Sequence, residues 1–108
     1  MKKLSVQIQP HRAPDLKLGE VRAAMEAVAE EKELVERHWF EEGQDRVRCF
    51  NFTFETRNLA GLWRLLRSRI FESASWGGPA SRAAIVTCEG REGWDDYLIL
   101  SHFDPSVA

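Results

Sequence analysis

Leu4, Val6 and Ile8 alternate with Ser5, Gln7 and Gln9, the period of two that marks a strand with one buried side. Pro10 ends the pattern, and "HRAPD" reads as a loop. Asp15 is placed to cap a helix in which Leu18, Val21, Met25 and Val28 recur every three or four residues, with Glu20, Glu26 and Glu30 toward water. The next stretch, "EKELVERHWFEEGQDR", admits two readings. Continued as helix over residues 15–42, it would run about 40 Å at 1.5 Å per residue, and no other segment is long enough to pack along it. The preferred reading is a hairpin: a strand over 34–41, a turn at "EGQD" supplied by Gly43 and Asp45, and a return strand over 46–56.

Asn58 then caps a second helix over 59–71, with Leu59, Leu62, Leu66 and Ile70 inward and Trp63 at the edge of the apolar stripe. The segment "SASWGGPAS" reads as a Gly/Ser/Pro loop. "AAIVTCE" and "WDDYLILSHF" follow as two strands around "GREG", which suits a type I turn with glycine at its end. The predicted order is β-α-β-β-α-β plus an extra C-terminal edge strand, an α+β chain of one domain over 1–108. Its first six elements match the ferredoxin-like split βαβ arrangement, with two helices on one face of an antiparallel sheet. By that analogy the strands should lie in the order last, fourth, first, third, second.

The stretch "RVRCFNFTFET" sets Phe50, Phe52 and Phe54 at every second position. At Arg48, Phe50 and Phe52 it resembles the octapeptide of RNA-recognition motifs, K/R-G-F/Y-G/A-F-V-x-F/Y, whose aromatics stack on bases from an open sheet face. That placement would turn Cys49, Asn51, Thr53 and Glu55 into the core, where unpartnered Asn and Glu cost several kcal/mol. Burying the phenylalanines instead gains about 1.5 to 3 kcal/mol for each. The rings are therefore expected under the helices, and Ser5 stands where the RNA-binding family needs a first-strand aromatic. Nucleic acid is not an expected partner.

The opposite sheet face should then carry Ser5, Gln7 and Gln9 beside Asn51, Thr53 and Glu55, all open to water. "YLIL" at 97–100 puts apolar side chains on both faces, so either the C-terminal tail "FDPSVA" or a second subunit is expected to cover that end. The second subunit, giving a homodimer, is preferred. Trp76 either folds back onto the core or closes over a ligand or partner, and Arg82 beyond it either stands in solvent or pairs with an anion. Gln7, Asn51, Thr53, Glu55, Trp76 and Arg82 are thus the candidate ligand- or partner-binding residues.

Composition removes further classes. Of 108 residues, 44% are apolar and 30% charged, a balance typical of folded soluble chains. The net charge of −2 opposes a phosphate-neutralising grip on nucleic acid. The amino terminus lacks the apolar stretch of a signal peptide and no run is long enough to span a membrane, so a cytoplasmic protein without membrane contact is expected. Cys49 and Cys88 form no CxxC pair; each reads as a small buried residue, about 10 Å apart across two strand spacings. The histidines at 11, 38 and 102 are scattered, and neither a metal site nor a cofactor motif is present. His38 with Glu36 or Glu41, and His102 with Asp95 or Asp96, are the only conceivable acid–base pairs. The expected role is a non-catalytic homodimeric regulatory, ligand-sensing or protein-binding module. The alternatives are a small enzyme with a pocket between sheet and helices gated by the Trp76 loop, and an inhibitor or immunity-type protein.

Overall fold

The computed structural model describes residues 1–44 and 46–107. Five antiparallel strands form one sheet: β1 (Lys2–Ile8), β2 (Arg37–Gln44), β3 (Arg48–Thr56), β4 (Ala84–Gly90) and β5 (Gly93–His102). Their order is β2-β3-β1-β4-β5, the spatial order expected from the chain. Three helices accompany the sheet: α1 (Leu18–Ala29), α2 (Leu59–Leu66) and α3 (Gly77–Ala83).

Register explains which face is buried. Leu4, Val6 and Ile8 of β1 pair with Phe54, Phe52 and Phe50 of β3 and with Cys88, Val86 and Ala84 of β4. All nine are buried in one core. The helices close over the same side with Val21, Met25 and Val28 of α1, Leu62 and Leu66 of α2, and Ala80 and Ala83 of α3. The three phenylalanine rings are 1–5% exposed and present no stacking platform. Their edge is finished by Phe40 of β2, whose ring lies 4.9 Å from Phe52 and 5.7 Å from Phe50.

Several boundaries differ from the sequence expectation. Residues 37–44, not 34–41, form the second strand, because Leu34 and Val35 belong to the turn that leaves α1 and donate their N–H groups to the Glu31 carbonyl. Gly43 and Gln44 continue that strand instead of turning, and Asp45 lies outside the described residues. Asp15 does not cap α1: the helix begins at Leu18 after Lys17, while the Asp15 carboxylate is held by Arg82 at 2.8 and 2.9 Å. Asn58 caps α2 as expected, accepting the Gly61 N–H at 2.9 Å. The end of α2 widens into a π-helical turn over Arg67–Phe71, with Glu72 N–H donating to the Arg67 carbonyl at 2.8 Å.

The expected "SASWGGPAS" loop is largely helix, since Gly77–Ala83 form α3. Gly77 makes this possible, because any Cβ there would stand 2.5 Å from the Phe71 carbonyl. Small Ala80 and Ala83 then let the helix sit flush on the core. At the β4–β5 hairpin, Gly93 adopts φ +78°, the left-handed region that glycine reaches without strain.

Truncating Phe54 to alanine is expected to cost about 3–5 kcal/mol of stability, and Asn58→Ala about 1 kcal/mol. Urea unfolding followed by circular dichroism measures both; a smaller loss for Phe54→Ala than for Asn58→Ala would contradict this account of the core.

Candidate functional site

With the helices on one side, the other face of the sheet is open. Cross-strand register lays its side chains in rows. Trp39, Thr53, Ser5, Thr87 and Ile99 form one row, and Glu41, Asn51, Gln7, Ile85 and His102 the next. The β4·β5 pairing shifts register between Val86 and Thr87 and again between Cys88 and Gly90. Such irregularities bend a strand and strengthen its twist. The outcome is a hollow of about 460 Å³ bounded by Ser5, Gln7, Asn51, Ile85, Thr87, Trp94, Tyr97, Ile99 and His102, within the size range of small-molecule sites.

Gln7 and Asn51 thus fall together in one site, as direct cross-strand partners. The Gln7 Oε1 already accepts from Gln9 Nε2 at 2.9 Å, which leaves the Gln7 amide N–H groups for an outside acceptor. Asn51 Nδ2 makes a long contact of 3.9 Å to Cys49 Sγ. His102 also belongs to the hollow. Its Nδ1 accepts the Asp104 N–H at 2.9 Å, which assigns the proton of the neutral ring to Nε2.

Glu55 corrects the expectation of a water-facing carboxylate. It is only 5% exposed, gripped by Arg37 through Nε at 2.9 Å and Nη2 at 3.0 Å, with Lys3 as its other cross-strand neighbour. The burial is affordable because the fork-shaped guanidinium satisfies both oxygens. These hydrogen bonds to Arg37 hold the Glu55 pKa below its ordinary value, against the opposing effect of burial, and the Arg37 and Lys3 charges lower it further. Thr53 lies in the Trp39–Ser5 row, half-buried.

The remaining candidates lie apart from this face. Trp76 stands at the entry of α3, packed partly on the core. It borders a cleft of about 160 Å³ with Asp15, Leu16, Lys17, Glu20, Ser75 and Pro79. Arg82 is neither free nor simply solvated, being paired with Asp15. His38 is exposed on the helix-side edge, beside Glu26 and Met25. Neither expected partner of His38 serves it. Glu36 bridges to Arg57 at 3.3 Å, and Glu41, an odd position on the same strand, projects to the opposite face. For His102 the neighbouring carboxylate is Asp104, while Asp96 accepts the Glu92 N–H.

The cysteines also part company. Cys88 is buried in the core, and burial raises its pKa. Cys49 is half-buried on the open face, in register with Gly43. Core side chains fill the centre of the space between sheet and helices, and a cleft of about 250 Å³ remains at its edge, between Leu18 and Arg22 of α1 and Phe40, Phe50 and Phe52 of the sheet. Among the described residues no group of three or more His, Cys, Asp or Glu side chains is arranged to hold a metal ion, and no helix is long and apolar enough to cross a membrane.

Trp94, Thr87, Ile85 and Tyr97 bound the hollow in addition to the sequence candidates. The signal was available in the alternation of β4, where Ile85 and Thr87 interleave with buried Ala84, Val86 and Cys88. Trp94 gave none, since only the bent β5 brings it to the rim. Comparison with protein-family models, with curated proteins and with solved structures gives no match.

The depressed Glu55 pKa carries a sign. Its stabilising effect is complete above the ordinary glutamate value of 4.5 and is lost as pH falls through the lower folded-state value. Glu55→Gln should therefore be less stable than the parent at pH 7, with the gap closing in strong acid. Urea midpoints across pH measure it; a pH-independent gap would refute the assignment.

Proposed function

We propose that the chain is a non-catalytic, cytoplasmic, homodimeric module, built on the ferredoxin-like split βαβ plan with an added edge strand. It acts as a ligand-sensing or regulatory protein through the open face of its sheet. The observation that carries this reading is the uncovered apolar half of that face. Trp94 is 42% and Tyr97 54% exposed, beside Ile85 and Ile99. The C-terminal tail, the other expected cover, supplies none of the residues bounding the hollow among positions 103–107; its Phe103 ring packs 3.6 Å from the Arg12 guanidinium and 4.2 Å from the His102 ring.

A second copy of the chain suits the charge pattern of this face. In a two-fold contact, groups near the axis meet their own copies, so like charges there repel and uncharged groups do not. The charged groups of one margin are engaged within the chain. Arg37 holds Glu55, Lys3 lies 5.9 Å from the Trp39 ring centre, and Glu89 accepts the Lys3 N–H. The middle, from Thr53 and Asn51 through Ser5 and Gln7 to Thr87, is uncharged and half-buried. Two such faces can stack about 10 Å apart, with the apolar β4–β5 halves excluding water.

Binding is favoured over catalysis by the composition of the hollow. No carboxylate, lysine, arginine or cysteine bounds it, so the hydroxyls of Ser5, Thr87 and Tyr97 stand beside His102 with no charged group in the site to activate them.

Light scattering at tens of micromolar is expected to give twice the chain mass. Tyr97→Glu should give the single-chain mass with its circular dichroism retained. A single-chain mass for the parent protein would end the homodimer reading.

A further inference from the structure

We infer that the open-face hollow binds an uncharged, planar heterocycle that presents a cyclic amide edge, an N–H beside a C=O. The inference rests on the open face being the working surface, and it names the ligand class for that surface.

Three observations define the class. First, none of the nine bounding residues is Asp, Glu, Lys or Arg, so an ionic ligand would lose hydration without gaining a counter-charge. Second, the floor offers a donor beside an acceptor. Gln7 and Asn51 are direct cross-strand partners, about 5 Å apart at Cβ. The Gln7 carbonyl is already occupied by Gln9, so Gln7 presents N–H. Asn51 places its Nδ2 near Cys49 Sγ, at 3.9 Å, which leaves its Oδ1 as the acceptor for a ligand. A lactam edge, C=O toward Gln7 and N–H toward Asn51, satisfies both with one rigid group. Ser5 and Thr87 hydroxyls adjoin the pair and adapt as donor or acceptor.

Third, the walls suit a flat ring. Ile85 and Ile99 supply apolar surface, and Trp94 and Tyr97 supply aromatic faces at the rim, where offset or edge-on ring contacts are favourable. The hollow extends from β3 to β5, three strand spacings or about 14 Å, room for two fused rings lying across the strands. A rigid planar ligand also surrenders little conformational entropy on binding.

The test is titration of the ¹⁵N-labelled protein with 2-quinolone, following the Trp94 indole and the Gln7 and Asn51 side-chain amides. N-methyl-2-quinolone keeps the ring and carbonyl but lacks the N–H, and quinoline-2-carboxylate carries a charge. The 2-quinolone is expected to shift all three signals, with both comparators at least about ten-fold weaker. Asn51→Leu and the near-isosteric Gln7→Glu should each weaken 2-quinolone by a similar factor. Backbone dispersion in the same spectra verifies folding, and Gln7→Glu decides the matter if Asn51→Leu unfolds. Equal affinity for the N-methyl compound, indifference to Gln7→Glu, shifts confined to other surfaces, or no binding up to the solubility limit would each overturn the inference. Light scattering on the same samples separates the two proposals. A dimer that ignores 2-quinolone refutes the ligand class alone, and a monomer that binds it refutes the dimer alone.

Discussion

The register of β1 between β3 and β4 is the constraint on which the rest of the molecule depends. Leu4, Val6 and Ile8 each have an apolar partner on both sides. Side chains alternate with a period of two, so a slip of one residue would send all three to the solvent side and bring Ser5 and Gln7 inward. The same pairing therefore decides two things at once. It gathers nine buried side chains under the helices, and it gathers Ser5, Gln7, Asn51, Ile85 and Thr87 on the other face as the floor of the hollow. Core and candidate site are two sides of one register.

The elements with a strong internal period were legible in the sequence. The alternation at Leu4, Val6 and Ile8, the three phenylalanines, and the α2 stripe of Leu62, Leu66 and Ile70 all reappear as buried positions. What was not legible depended on long-range partners. The α3 helix rests on Gly77 fitting against the Phe71 carbonyl, which a local count of Gly, Ser and Pro cannot anticipate. Asp15 was an attractive cap by type, yet Arg82, 67 residues away, claims it. Glu55 looked like a surface residue until Arg37 was placed across from it by the β2–β3 register.

The site was legible by half for the same reason. Gln7 and Asn51 follow from strand alternation alone. The rim does not, because Trp94 and Tyr97 reach it only through the shifts of the β4·β5 pair. The candidates chosen for their chemistry lie elsewhere, His38 at the β2 edge and Trp76 and Arg82 together around Asp15 on the α3 side.

Those two shifts in the β4·β5 pair also bear on how the chain avoids its own copies in the wrong geometry. β2 and β5 are the outer strands, and an outer strand offers unpaired backbone groups to any neighbour. Along β2 the charges of Arg37, Glu41 and Glu42 make such pairing costly. β5 carries Tyr97, Leu98, Ile99 and Leu100 in succession, a run of the kind that nucleates fibrils when it lies flat and exposed. Asp95 and Asp96 guard one end of it, and the bent strand denies a flat template over the remainder. The distortion that hollows the sheet face thus also keeps the most adhesive segment of the chain from zipping edge to edge.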